Sequence, residues 1–250
     1  MFRSRAARRY SLYHDRSRRR RPLRLIRFLV LLFLGYQLLT LLLVSSLRID
    51  SSSMAPSLAV SDRVLASPVG YGVQLPLLPW ATPALREPQR SDIVVLASPY
   101  HSQPATLLRL VDPLVRFLTV NRVSAAAFGA PAWDNPFVVM RVVGLPGDTV
   151  EISNWVARVI PAGSSQSAGE HSLAHSRYSL ELGDASAGDG QLLFRDSAPL
   201  TLGPDEYFVL GDNRAAAVDS RHFGPVSRAD LRQRVFLRYW PLQRFGVPAN

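Results

Sequence analysis

The chain has 250 residues, 29 basic against 19 acidic side chains and no cysteine, which excludes a disulfide framework and thiolate chemistry. Its formal charge of +10 does not describe a nucleic-acid-binding face: residues 1–27 hold eleven arginines and one acid, Asp15, and residues 28–250 hold 18 arginines and 18 acids, so the tail alone carries the excess. Every basic residue is arginine, and lysine is absent.

The Arg-rich tail 1–27 runs into Phe28–Leu47, FLVLLFLGYQLLTLLLVSSL, twenty residues without a charge. As a helix this length crosses a bilayer core. It exceeds the apolar region of a cleaved secretory signal, so a retained anchor is expected. Arginine on the N-terminal flank places that end in the cytoplasm and everything after Arg48 outside. The run RRRR at 18–21 reads, beside such a span, as a topology and lipid-headgroup determinant and not as a nucleic-acid patch. The expectation is a single-pass protein of the cell (inner) membrane.

After the anchor the chain is strand-like. Val64-Leu65, Ile93–Leu96, Phe137–Val143, Val150–Ile152, Leu192–Phe194, Tyr207–Leu210 and Val235–Trp240 are short β-branched or aromatic runs. SPVGYG, GLPGD, LGPDE and LGDNR punctuate them. The segment 75–85, LPLLPWATPAL, is apolar and Pro-rich and suits a bilayer interface. In 106–120, Leu107, Leu110, Val111, Leu114, Phe117 and Leu118 fall at helical spacing around Pro113. A helix there is expected to cover the β core, with the membrane surface as the alternative. Residues 161–190, rich in Ser, Gly, Ala and His, read as a surface loop in which His171 and His175 are solvated.

Four stretches, in order, carry a family resemblance. Ser51-Ser52-Ser53-Met54-Ala55-Pro56-Ser57-Leu58 follows the anchor. Ser61-Asp62-Arg63-Val64-Leu65 precedes Tyr71-Gly72. Ser91-Asp92-Ile93-Val94-Val95 and Arg141-Val142-Val143-Gly144-Leu145-Pro146-Gly147-Asp148 come next. Gly211-Asp212-Asn213-Arg214 leads to Asp219-Ser220-Arg221-His222-Phe223-Gly224-Pro225-Val226. Together they resemble type I signal peptidases, the membrane-anchored serine endopeptidases of the S26 type that cut signal peptides from exported proteins. A lone S-x-M-x-P would not suffice; the combination spans residues 28–240.

The resemblance implies a mainly β fold: an N-terminal transmembrane helix, then a β-rich exterior domain with a smaller inserted subdomain. The corresponding division is tail 1–27, anchor 28–47, β core 48–152 with 206–250, and insertion 153–205. It implies a Ser–Lys dyad with no cofactor and no metal. Ser53 matches the nucleophile, Ser51 the hydroxyl that with the Ser53 backbone N–H stabilises the oxyanion, and Asp219 and Arg221 a supporting ion pair. Pro56 matches the residue that fixes the turn presenting the serine.

The pattern breaks at the base. The family's lysine precedes the Arg-x-Val-Gly-x-Pro-Gly-Asp stretch, where this chain has Met140. A thioether accepts no proton near neutrality, and Arg141 does not deprotonate in proteins. The family's serine that orients the lysine is here Ala217. Alanine leaves no hydroxyl buried without its partner, and methionine is the apolar shape nearest to lysine. The two changes read as one event. Asp50 also stands where the family has proline. His222 is the nearest other candidate base by sequence.

Three readings follow. One is a catalytically silent or impaired relative that binds signal peptides of exported precursors, beside membrane lipid, with an active paralogue as a further candidate partner and without nucleic acid. The second is an active signal peptidase I with Ser53 as nucleophile and an unrecognised base. The third is a membrane-tethered β-rich interaction module.

Overall fold

Alternating burial along short strands builds most of the molecule. A computed structural model describes residues 24–36, 38, 43–69, 71–72, 86–98, 111–112, 114–115, 117–119, 137–183 and 196–248. The chain divides into two compact units, Met1–Thr40 with Pro104–Ala130, and Leu41–Gln103 with Pro131–Asn250.

The second unit contains a seven-stranded antiparallel sheet. Its strands are β1 (Ser45–Arg48), β2 (Arg63–Ser67), β3 (Ile93–Ala97), β4 (Phe137–Gly144), β9 (Glu206–Leu210), β10 (Val226–Ser227) and β11 (Leu231–Trp240), in the order β1-β2-β11-β3-β4-β9-β10. A four-stranded sheet, ordered β7-β6-β5-β8, is made by β5 (Thr149–Ser153), β6 (Val156–Ile160), β7 (Ala168–Gly169) and β8 (Ser197–Thr201). The mainly β architecture expected of a signal-peptidase-like chain is what forms.

The period-2 alternation of a strand sends neighbouring side chains to opposite faces. Met140 and Val142 of β4 join Val94, Leu96, Tyr207 and Val209 in one apolar cluster. Ile93, Val95, Val64 and Ala66 turn the other way, with Met54 and Leu58 from the turn after β1. Val143, Phe208 and Leu210 pack with Val150, Ile152, Ala157 and Val159 of the smaller sheet. Residues of both sheets thus share a core.

The expected anchor 28–47 changes at its C-terminal end. Ser45–Leu47 belong to β1, paired with Leu65, Ala66 and Val64 of β2. Ser46 Oγ lies 2.7 Å from the Tyr239 hydroxyl and Ser45 Oγ donates to Gln233 Oε1. Those polar partners and the strand ladder draw the two serines out of the apolar run. Helical residues are 24–36 and 38. Among the described residues no helix is long and apolar enough to cross a membrane.

Within 106–120, the described residues between 111 and 118 are helical. The Phe117 ring sits 5.2 Å from Phe33 and 5.3 Å from Tyr36 of the N-terminal helix. The segments 75–85 and Leu192–Phe194 lie outside the described residues.

Residues 161–183 are more than a solvated loop. Glu170 opens a short helix, Glu170–Leu173, and is buried, as is Tyr178. His171 packs 4.7 Å from the Tyr178 ring, and His175 Nδ1 lies 2.9 Å from Ser91 Oγ. A two-residue turn at Asn154 (φ 51°) and Trp155 (φ 69°) joins β5 to β6.

Gly144, at the end of β4, is where the sheets approach most closely: a Cβ there would lie 2.7 Å from Val150, 2.8 Å from Leu202 and 2.9 Å from Phe208. Gly144→Ala is expected to destabilise by about 1–3 kcal/mol through overpacking. Thermal unfolding of the detergent-solubilised chain should show a midpoint several degrees lower; an unchanged midpoint would mean the sheets separate without cost.

Candidate active site

Ser53 is held by its neighbours on both sides. Before it, Ile49 is buried and its backbone pairs with Asp62 and Ser61. After it, Met54 and Leu58 are buried, and the Leu58 N–H donates to the Met54 carbonyl at 2.8 Å. The serine run therefore forms a pinned turn. Ser53 is half-buried and Ser51 exposed. Their hydroxyl oxygens are 3.0 Å apart, and among the described residues this is the side-chain hydrogen bond that Ser53 makes.

The loop after β9 meets this turn. The Asn213 N–H donates to the Ser53 carbonyl at 3.0 Å. Gly211 permits the approach: a Cβ there would stand 2.6 Å from the Ser53 carbonyl oxygen and 2.3 Å from the Ala217 Cβ. No larger residue fits.

Arg141 pairs with Leu210 and Val142 with Val209, so the loop that opens at Gly211 follows β9 beside the Met140 end of that pairing. Met140 lies in the apolar cluster with Val209, while Ser53 and Ala217 approach Gly211. Met140 and Ala217 are both buried, and the Ala217 N–H donates to the Asn213 carbonyl.

Asp219 and Arg221 are joined by two contacts of 2.8 Å, Nε to Oδ1 and Nη2 to Oδ2. Asp219 also accepts from the Gly211 N–H at 3.1 Å, so the pair holds the loop and not the Ser53 hydroxyl. His222 is occupied in a capping box at the start of the helix Ser220–Phe223, its Nδ1 facing the Asp219 N–H at 3.4 Å. Asp50 lies exposed, 3.5 Å from the Arg48 guanidinium.

Three arginines carry the loop. Arg141, on the face of β4 opposite Met140, is wholly buried. It donates to both Asp212 oxygens at 2.7 and 2.6 Å, to the Ser91 carbonyl at 2.9 Å and to Ser57 Oγ at 3.2 Å, and its guanidinium lies 4.0 Å over the Tyr178 ring. Arg214 donates to the Gly211 and Trp155 carbonyls, both at 2.9 Å, and to Glu170 at 2.6 Å. Arg221 reaches the Arg214 carbonyl at 2.8 Å. Tyr178 donates to Glu170, and Glu181 accepts from the Asn213 amide.

Reading the sequence missed this cradle. Arg141 was the available signal, a lone charge inside the apolar run FVVMRVVG. Glu170, Tyr178 and Glu181 gave none, because they reach the loop from a distant segment.

These contacts set the titration of the carboxylates. Burial would raise the Glu170 carboxyl, but the Arg214 charge and hydrogen bond hold it below its usual range, helped by the Ala157 N–H and Tyr178. Burial likewise opposes ionisation of Asp219, and hydrogen bonds from His222 and Arg221 keep it low. Burial, with Glu170 beside it, pushes the Tyr178 phenol upward, so it remains a donor. Among the described residues no cluster of His, Asp and Glu could hold a metal ion.

Residues 22–240 match the family described as signal peptidase, peptidase S26. The chain belongs to that family. It is 28% identical over 199 residues to a probable signal peptidase I-2 of Synechocystis sp., covering 80% of this chain and 64% of that protein. To signal peptidase I of Leptolyngbya laminosa it is 27% identical over 198 residues, covering 79% and 70%. The chain thus spans just under two thirds of the Synechocystis relative. A crystal structure of a signal peptidase I from Enterococcus faecalis aligns at 22% identity and a TM-score of 0.31, over 60% of this chain and 97% of that one.

Glu170→Gln leaves Arg214 without its buried counter-charge and should destabilise by about 3–5 kcal/mol at neutral pH. Because the folded Glu170 carboxyl lies below its unfolded value, its contribution is complete above about pH 4.3 and is lost as pH falls through the folded value. The difference in unfolding midpoint between wild type and Glu170→Gln should therefore narrow below about pH 4. A difference constant with pH would separate Glu170 from the Arg214 charge.

Proposed function

We propose that this S26-family chain binds the signal peptides of exported precursors and is silent or strongly impaired in cleaving them. The observation that carries this reading is that, among the described residues, the Ser53 side chain bonds only the Ser51 hydroxyl, while Met140, at the position of the family's base, is buried in an apolar cluster. In the reading, Ser53 occupies the nucleophile position. Ser51 and the Ser53 N–H face the place where an oxyanion would form. Asp219 and Arg221 keep the loop in shape. Among the described residues the Ser53 hydroxyl meets no base: its side-chain partner is another serine hydroxyl.

Loss of a general base costs roughly 10²–10⁴-fold in rate, and a base acting as one unit with its nucleophile can cost more. That is enough to remove a processing protease from useful turnover while leaving its groove able to hold an extended peptide. The active alternative, with another base on Ser53, gains nothing from His222, whose ring is engaged with Asp219.

The same reading places the chain in the cell membrane, N-terminus cytoplasmic and β unit outside, in contact with lipid and in a position to present peptides to an active paralogue. The charge-free run supports it. With Ser45–Leu47 in β1, an uncharged run of seventeen residues, 28–44, remains, at the lower limit of length for a span. Leu25, Ile26, Phe28, Leu31, Leu34 and Leu38 are each more than half exposed, as lipid-facing side chains are. Residues 153–205 form the inserted part, a reading supported by β6, β7 and β8 assembling around β5 outside the larger sheet.

The test is cleavage of a signal-peptide-bearing precursor by the purified chain in lipid, comparing wild type, Ser53→Ala, Met140→Lys, and Met140→Lys with Ala217→Ser. Wild type should leave the precursor intact, and the double variant should gain cleavage that Ser53→Ala removes. Wild-type cleavage abolished by Ser53→Ala would establish an active peptidase instead.

A further inference from the structure

The unit formed by Met1–Thr40 and Pro104–Ala130 is not used by any of the chemistry above. Its second part leaves the β unit after Gln103 and returns to it at Pro131. Between 111 and 118 its described residues are helical, with the Thr119 N–H and hydroxyl both donating to the Val115 carbonyl at 2.9 and 2.7 Å.

This helical stretch has two sides. On one, Phe117 meets Phe33 edge-on and Tyr36 at a tilt. Phe33 and Tyr36 are the half-buried exceptions on a helix whose other described residues are exposed. On the other side, Val111, Leu114 and Leu118, spaced i, i+3 and i+7, are 41%, 46% and 69% exposed. A helix in water turns such a stripe inward. Here the stripe turns away from the protein, and so do the leucines and Phe28 of the helix it packs on.

An apolar solvent accounts for both exposures at once. Phe33 and Tyr36 lie well inside the uncharged run 28–44, so a partner at their level shares the depth of that run. Segment 104–130 carries Arg109, Arg116 and Arg122 against Asp112. That basic balance of the sequence suits an anionic headgroup layer. Helical backbone satisfies its own hydrogen bonds in lipid.

We infer that the helical stretch between Val111 and Leu118 is a second membrane-inserted element, which packs on the N-terminal helix through Phe117 and presents Val111, Leu114 and Leu118 to acyl chains. The inference rests on the membrane reading of 28–44. It adds a lipid contact made by a segment far from the anchor in sequence and unrelated to the Ser53 site.

The absence of cysteine makes the test clean. Single variants Leu31→Cys, Leu114→Cys, Leu118→Cys and Leu200→Cys of the full chain are labelled with an environment-sensitive fluorophore. They are reconstituted in phosphatidylethanolamine–phosphatidylglycerol vesicles, with and without spin-labelled lipid. Leu200, on β8, is the exterior reference. The expected result is loss of most emission by lipid-borne quencher at 31, 114 and 118, and no loss at 200. Quenching at 31 alone would overturn the inference and leave the anchor standing. Quenching at neither 31 nor 114 and 118 would overturn both. Blue-shifted but unquenched emission at 114 and 118 would put a protein surface, such as a second copy, on the stripe and also overturn it.

Discussion

An arginine buried without water must be met by fixed partners, and that requirement organises the site. Arg141 lies in the centre of the larger sheet with no exposure, and Asp212, Ser91, Ser57 and the Tyr178 ring surround it. Removing one partner of such a pair leaves an uncompensated charge in a low-dielectric interior. Asp212 is therefore immobile, and with it the residues on either side. Gly211 on one side admits the Ser53 carbonyl, and Asn213 on the other donates to it. Arg214 and Arg221 extend the same logic along the loop, each held by a buried carboxylate. The turn that presents Ser53 is thus positioned by charge pairs several residues away from it.

That division of labour is compatible with the proposed loss of the base, because the loop's supports do not involve Met140. Met140 and Arg141 are neighbours in β4 but face opposite sides of the sheet. The arginine side carries the positioning network. The methionine side is an apolar cluster in which a linear, uncharged side chain packs with Val94, Val142 and Val209. Exchanging an amine for a thioether there touches no member of the arginine network. Ala217, buried in the loop after β9, likewise brings no hydroxyl that would need a partner there. Shape and chemistry are separable because they lie on different faces of one strand.

The extent to which this was legible in the sequence follows from the range of each interaction. Strands β2, β3, β4, β5, β9 and β11 contain the β-branched runs that local pattern detects. β1 was hidden because its residues continue the apolar run of the preceding helix. β7 and β10 are two residues long, too short for any period. Ser53, Met140 and Ala217 were found through motifs, and the close approach at Gly211 relates Ser53 to Ala217. Glu170 and Tyr178 were lost inside a Ser- and His-rich stretch, since their roles depend on Arg214 and Arg141, more than thirty residues away in sequence. The contact of Phe117 with Phe33 and Tyr36 was not legible for a similar cause: periodicity identifies an apolar face without naming what it meets.

The central claim is that recognition persists without turnover, and equilibrium binding read together with the fate of the ligand tests it most directly. A fluorescent signal-peptide-bearing precursor would be titrated with the lipid-reconstituted wild-type chain and followed by anisotropy. The bound sample would then be held for many hours and its peptide mass measured. The account predicts saturable binding, unchanged in Ser53→Ala, with the peptide recovered at its full mass. Recovery of the two fragments of a single cleavage, dependent on Ser53, would contradict it.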